Sequence, residues 1–185
     1  MGDLYLQRRF WKVLQQIVFD CYYYHFYGQF FAMIIRGINT FISIMTIIAT
    51  GILVTWCQSR FVQICCPSVI SILQILRMVV DQMCFETKEQ KLRNAYYRSK
   101  EMQTAAERTW GKVVDGSITK HEIEVSIYSL LRKRETIANL CFENDYIPEN
   151  KLIKEKAESK AESYISGLVE DMKNEQSKDD ESKDE

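Results

Sequence analysis

The sequence has none of the short motifs through which chains cradle phosphate or build a hydrolytic centre. It contains no GxxxxGKS or GxxxxGKT and no GxGxxG, so no glycine-rich phosphate loop is encoded. It contains no HExxH and no GxSxG, which excludes a helix-borne zinc pair and a nucleophile elbow. Histidine is scarce: His25 and His121 are the only two, both far from any cluster of cysteines. The six cysteines (Cys21, Cys57, Cys65, Cys66, Cys84 and Cys141) form no C-x-x-C pair. A zinc site needs four nitrogen or sulfur ligands at suitable spacing, so no metal and no cofactor is expected. The cysteines read as small apolar side chains in a reducing compartment. The start of the chain lacks the charged region, apolar core and small-residue cleavage site of a signal peptide.

Charge is also missing, but only locally. Net charge is -1, and between Gly37 and Val80 the only charged residues are Arg60 and Arg77. From Glu86 onward charged residues are frequent, with basic and acidic ones interleaved, which argues against direct nucleic-acid binding. The run 37–56, GINTFISIMTIIATGILVTW, is uncharged. At about 1.5 Å per residue its length matches a hydrocarbon layer of about 30 Å. A second run, 61–80, FVQICCPSVISILQILRMVV, follows after Cys57-Gln58-Ser59-Arg60. So short a link requires antiparallel neighbours. Pro67 is tolerable near the start of a span, and Arg77 is near enough to the far end to snorkel. Arg8, Arg9, Lys12 and Arg36 precede the pair and Lys88, Lys91, Arg93 and Arg98 follow it. This bias predicts a multi-pass membrane protein with both termini in the cytoplasm.

Polar residues inside the spans are patterned. Asn39, Ser43, Thr46 and Thr50 recur at helical spacing and share one face. In the second run Gln63, Gln74, Arg77 and Asp81 share a face, with Ser71 at its margin. Two readings stand side by side. These residues join the two helices by hydrogen bonds, or several hairpins assemble and the faces line a pore.

Residues 1–36 are rich in aromatics, including Tyr22, Tyr23, Tyr24, Phe26 and Tyr27. They read as an interfacial helix on the cytoplasmic surface that turns into the first span. The competing reading is a cytoplasmic helix packed on the second half of the chain. Residues 37–83 form the hairpin. Residues 84–172 read as a cytoplasmic helical region. Its first part, Phe85 to Val113, continues the second span as a stalk. Asp115-Gly116 marks a turn. Thr119 and Glu122 form a T-x-x-E capping box, with Ile118 and Ile123 as a hydrophobic staple. The next helix folds back as an αα-hairpin, and Ile147-Pro148 opens a last one. Residues 173–185 are charged, almost free of apolar side chains, and expected to be a disordered tail. The expected class is thus an all-α membrane protein: a transmembrane hairpin with an aromatic arm and a cytoplasmic helical bundle.

This layout resembles the SLATT domain, the SMODS and SLOG-associating two-transmembrane effector. The resemblance covers residues 20–170. Its parts are CYYYHFYGQFF, the hairpin with its small loop, EQKLRNAYYRSKEMQTAAERTW, EIEVSIYSLLRKRETI and a proline-started segment. It implies an effector of prokaryotic antiviral defence, encoded beside a sensor, that oligomerises to open a pore or disrupt the inner membrane. The implied partners are the lipid bilayer, further copies of the chain and a cytoplasmic sensor protein. A membrane scaffold that binds a cytoplasmic partner is the alternative. An enzyme built on His121 and Glu122 is a weaker third.

Overall fold

The computed structural model describes residues 2–55, 59–82, 85–142 and 149–181. They form five helices, with no strand among them: α1 (Gly2–Thr55), α2 (Arg60–Gln82), α3 (Phe85–Val114), α4 (Lys120–Phe142) and α5 (Lys151–Glu181). The chain divides into two units. One comprises Met1–Tyr27 and Lys91–Glu185, the other Gly28–Gln90.

The first unit is a helical bundle whose core follows from apolar spacing. Leu6, Phe10, Val13, Leu14, Ile17 and Val18 lie at steps of one, three and four, which gathers them on one stripe of α1. They pack with Ala95, Met102, Ala106 and Val113 of α3, with Ile123, Ile127, Leu130 and Ile137 of α4, and with Ala161 of α5. Trp110 stacks on Phe10 at 6.0 Å between ring centroids and meets Trp11 at 4.9 Å. His25 lies 4.9 Å from the Tyr96 ring, and the Lys156 ammonium sits 4.5 Å from the centre of Phe26. Up to Tyr27, most rings of the aromatic arm are therefore spent on the bundle.

For the part of residues 1–36 up to Tyr27, that finding favours the competing reading, a helix packed on the second half of the chain. α1 runs without a break from Gly2 to Thr55, so no turn separates an arm from the first apolar run. Its leading turns carry a stripe wide enough to bury, and the stripes of α3 and α4 are its complement. Residues 173–181 are a correction. They continue α5 as helix to Glu181 where a disordered tail is expected. Once a helix is nucleated, each added residue gains a backbone bond, and five of the nine residues 173–181 are the good helix formers Lys, Glu and Gln.

The helix ends follow local chemistry. Gly116 has φ +68, a left-handed conformation that favours glycine. The Ser117 N–H donates to the Lys112 carbonyl at 3.1 Å and the Gly116 N–H to that of Val113 at 3.4 Å, closing α3 as a Schellman motif. The capping box then opens α4. The Thr119 N–H donates to Glu122 Oε2 at 2.8 Å, and the Glu122 N–H donates to Thr119 Oγ1 at 3.4 Å. Ile118 packs against the core beside buried Ile123, as the staple requires. α5 is capped by Asn150, whose Oδ1 accepts from the N–H groups of Leu152 and Ile153 at 3.1 and 3.4 Å. Pro148, expected to open this helix, lies outside the described residues, as does the Met83-Cys84 junction on which the continuous stalk depends.

Two polar ties cross the bundle. Arg134 of α4 donates through Nε and Nη2 to both carboxylate oxygens of Asp20, the second at 3.2 Å, and through Nη1 to Gln16 Oε1 at 3.3 Å. Buried Gln103 donates to Glu107 Oε1 at 2.7 Å, and the Tyr164 hydroxyl donates to the same oxygen at 2.7 Å, linking α3 to α5. Both satisfy groups that would be costly to bury alone.

Candidate functional site

The second unit has a different surface. Within it the buried positions of α1 are Phe31, Ile35, Ile42 and Ala49, and those of α2 are Val62, Cys66 and Leu73. Their steps are four and seven residues, the narrow seam of two helices packed side by side. Outside this seam the surface is apolar. Ile47 is 71% exposed, Ile64 70% and Ile72 64%, and Phe41, Ile44, Ile48, Ile75 and Met78 are exposed as well. α2, at 23 residues, is about 35 Å long. Two helices are thus long and apolar enough to cross a membrane, Leu4–Ile52 and Val62–Val79.

The polar residues of this unit stand beside the seam, outside it. Asn39, Ser43 and Thr50 are exposed and Thr46 is half-buried. On α2, Gln63, Ser71, Gln74 and Arg77 are exposed, and Asp81 belongs to the last turn of the helix. The hydroxyl protons stay within their own helices. Ser43 donates to the Asn39 carbonyl at 2.8 Å, Thr46 to Ile42 at 2.7 Å, Thr50 to Thr46 at 2.8 Å and Ser71 to Pro67 at 2.8 Å. A hydroxyl bonded four residues back is satisfied without a neighbour. These protons are therefore not the ones that would join the helices, as the hydrogen-bonding reading of the stripe requires.

The bundle holds the groups on which an enzyme reading would rest. His121 and Glu122 border an open depression of about 520 Å³ with Thr109, Lys112 and Ser117. The Glu122 carboxylate is held below the usual glutamate range by the Thr119 N–H and then by the Thr119 hydroxyl. It is an acceptor of the helix cap. Burial pushes the Cys21 thiol up to about 11, which leaves little thiolate at neutral pH. Burial, with the bond to Glu107, pushes Tyr164 up to about 12. Burial raises the Asp20 carboxyl, against the opposing pull of Arg134. Among the described residues no three His, Cys, Asp or Glu side chains converge as a metal site would need.

The sequence reading missed the Asp20–Arg134 pair, the Gln103–Glu107–Tyr164 network and the Asn150 cap. Gln103 left a signal, being a polar side chain next to buried Met102 and one turn from Ala106. Asp20 and Arg134 left none, because they meet only when α4 folds onto α1. No family model, no characterised protein and no solved structure matches this chain.

Proposed function

We propose that this chain is a pore-forming membrane effector whose hairpin, 37–56 and 61–80, assembles with further copies under the control of the helical bundle. One observation carries the reading. The most apolar windows of α1 and α2 are only 17% and 11% buried within the chain. A core helix of a water-soluble domain buries such a face; here lipid or another copy must cover it.

The stripe gives that surface a direction. Seam and stripe fix the rotation of each helix, and at about 100° per residue the stripe stands about 70° from the seam on both. The offset has the same sense on α1 and α2. In an antiparallel hairpin, equal offsets fall on one side. Asn39, Ser43, Thr46, Thr50, Gln63, Gln74 and Arg77 then share one long side, while Phe41, Ile44, Ile48, Ile72 and Leu76 take the other. Such a ribbon suits a ring of copies with polar sides inward and apolar sides in lipid. One hairpin encloses no water, so assembly is part of the function.

Basic residues flanking the hairpin put both termini in the cytoplasm, and the bundle with them. With the SLATT resemblance, the reading becomes an effector of prokaryotic antiviral defence, triggered when a cytoplasmic sensor acts on the bundle.

Controlled expression in bacterial cells, with a potential-sensitive dye and growth followed together, tests this. Rapid depolarisation with growth arrest is expected, and Gln74→Leu reduces it while membrane insertion persists. Full function with an unrelated hairpin of equal length would overturn the pore and favour the scaffold.

A further inference from the structure

We infer that the pathway made by these hairpins passes small inorganic anions in preference to cations; this rests on the pore reading above. The observation is a charge asymmetry along the chain. From Cys21 to Val80 there is no aspartate and no glutamate, whereas Arg36, Arg60 and Arg77 all occur. All three arginines are exposed.

Topology alone explains one of them. A basic residue at the cytoplasmic edge of a span is expected, and Arg36 fits. Arg60 opens α2 at the far end of the hairpin, where no such bias operates, and Arg77 lies within the second span. Rotation assigns Arg77 to the polar side with Gln63 and Gln74. Arg36 lies one turn before Asn39 on that side of α1. In an antiparallel hairpin Arg36 and Arg77 are at similar distances from the turn, so each copy brings two guanidinium groups to one end of the pathway. Arg60 adds one at the other end.

Guanidinium is a delocalised cation that presents five N–H donors to an anion. Rings of such charges favour anions. Exposed Asn39 and Gln74 add amide N–H donors, which solvate an anion between the two charged ends. Asp81 follows Arg77 by one turn at the mouth; counting it still leaves each copy with a positive excess.

The test is reversal potential for the full chain in planar bilayers under a potassium chloride gradient. Chloride is expected to be favoured over potassium by on the order of tenfold, the effect of a unit charge a few ångströms from the ion path. Arg77→Gln is expected to lower that ratio severalfold, Arg77→Lys to retain it, and Arg60→Gln to lower it independently from the other end. Potassium preference, or a ratio unmoved by both glutamine variants, would overturn the inference while leaving the pore intact. No conductance from protein shown to be inserted would remove the pore reading, and this inference with it.

Discussion

Up to Tyr27, α1 hides Phe10, Leu14, Ile17 and Val18 completely; beyond Gly28 the same helix exposes Phe41, Ile44, Ile47 and Ile48. Both stretches are apolar, yet one is covered by its own chain and the other is not. Helicity is common to both and separates nothing. Complementary stripes separate them: α3 and α4 carry apolar faces that meet the first stretch, whereas α2 offers the second only the narrow seam of Val62, Cys66 and Leu73. The bundle covers its own apolar stripes, whereas the two helices that are long and apolar enough to cross a membrane leave most of theirs uncovered.

That contrast can be broken or sharpened by substitution. The largest effect is expected in the bundle core. Phe10→Ala removes a fully buried ring that touches Trp110, and a loss of about 3–5 kcal/mol is expected. Urea unfolding of the detergent-solubilised chain, read by tryptophan fluorescence, measures it. Next come Ile47→Arg and Ile72→Arg, both at exposed positions near the middle of their runs. In water such changes cost about 0.5 kcal/mol or less. In lipid each weakens insertion by about 3 kcal/mol. Carbonate extraction of membranes distinguishes the two, and retention of both variants would erase the contrast between units.

Smaller effects probe how the bundle is fastened. Asp20→Ala strands a guanidinium that is 37% exposed, so a loss of about 1–2 kcal/mol is expected, less than for a fully buried pair. A double-mutant cycle with Arg134→Ala isolates the coupling. The smallest change belongs to Thr119→Ala, at about 1 kcal/mol for the loss of an N-cap. It also has a pH signature. The Thr119 N–H, which alanine keeps, and then the Thr119 hydroxyl hold the Glu122 carboxylate below its usual range; the hydroxyl's share is present above the unfolded-state value and fades as pH falls through the lowered folded value. Acid titration of the melting temperature of wild type and Thr119→Ala checks it: the difference between them narrows in acid.

Much of this architecture is legible in the sequence because its causes are local. The capping box at Thr119 and Glu122, the Asp115-Gly116 turn and the apolar periodicity of residues 85–113 depend on residues a few positions apart. The polar stripe is legible for the same reason. What it faces is harder to read, since burial depends on a partner helix. The aromatic arm shows the limit. Its composition suits a membrane interface and a helical core equally, and the choice depends on Trp110, Tyr96 and Tyr164, all more than sixty residues away. The Asp20–Arg134 pair is likewise non-local, its members 114 residues apart. The tail went wrong for another reason: low apolar content argues against burial, and a helix continued from an existing one needs none.

The back-bonded hydroxyls of the stripe have a consequence for timing. Ser43, Thr46 and Thr50 have already given their protons to the helix that carries them, so a solitary hairpin resting in lipid suffers little from them. On the pore reading proposed above, dormancy would then require no dedicated plug: dispersed copies would leak little, leakage would rise steeply with their density in the plane of the membrane, and a trigger would need only to gather them.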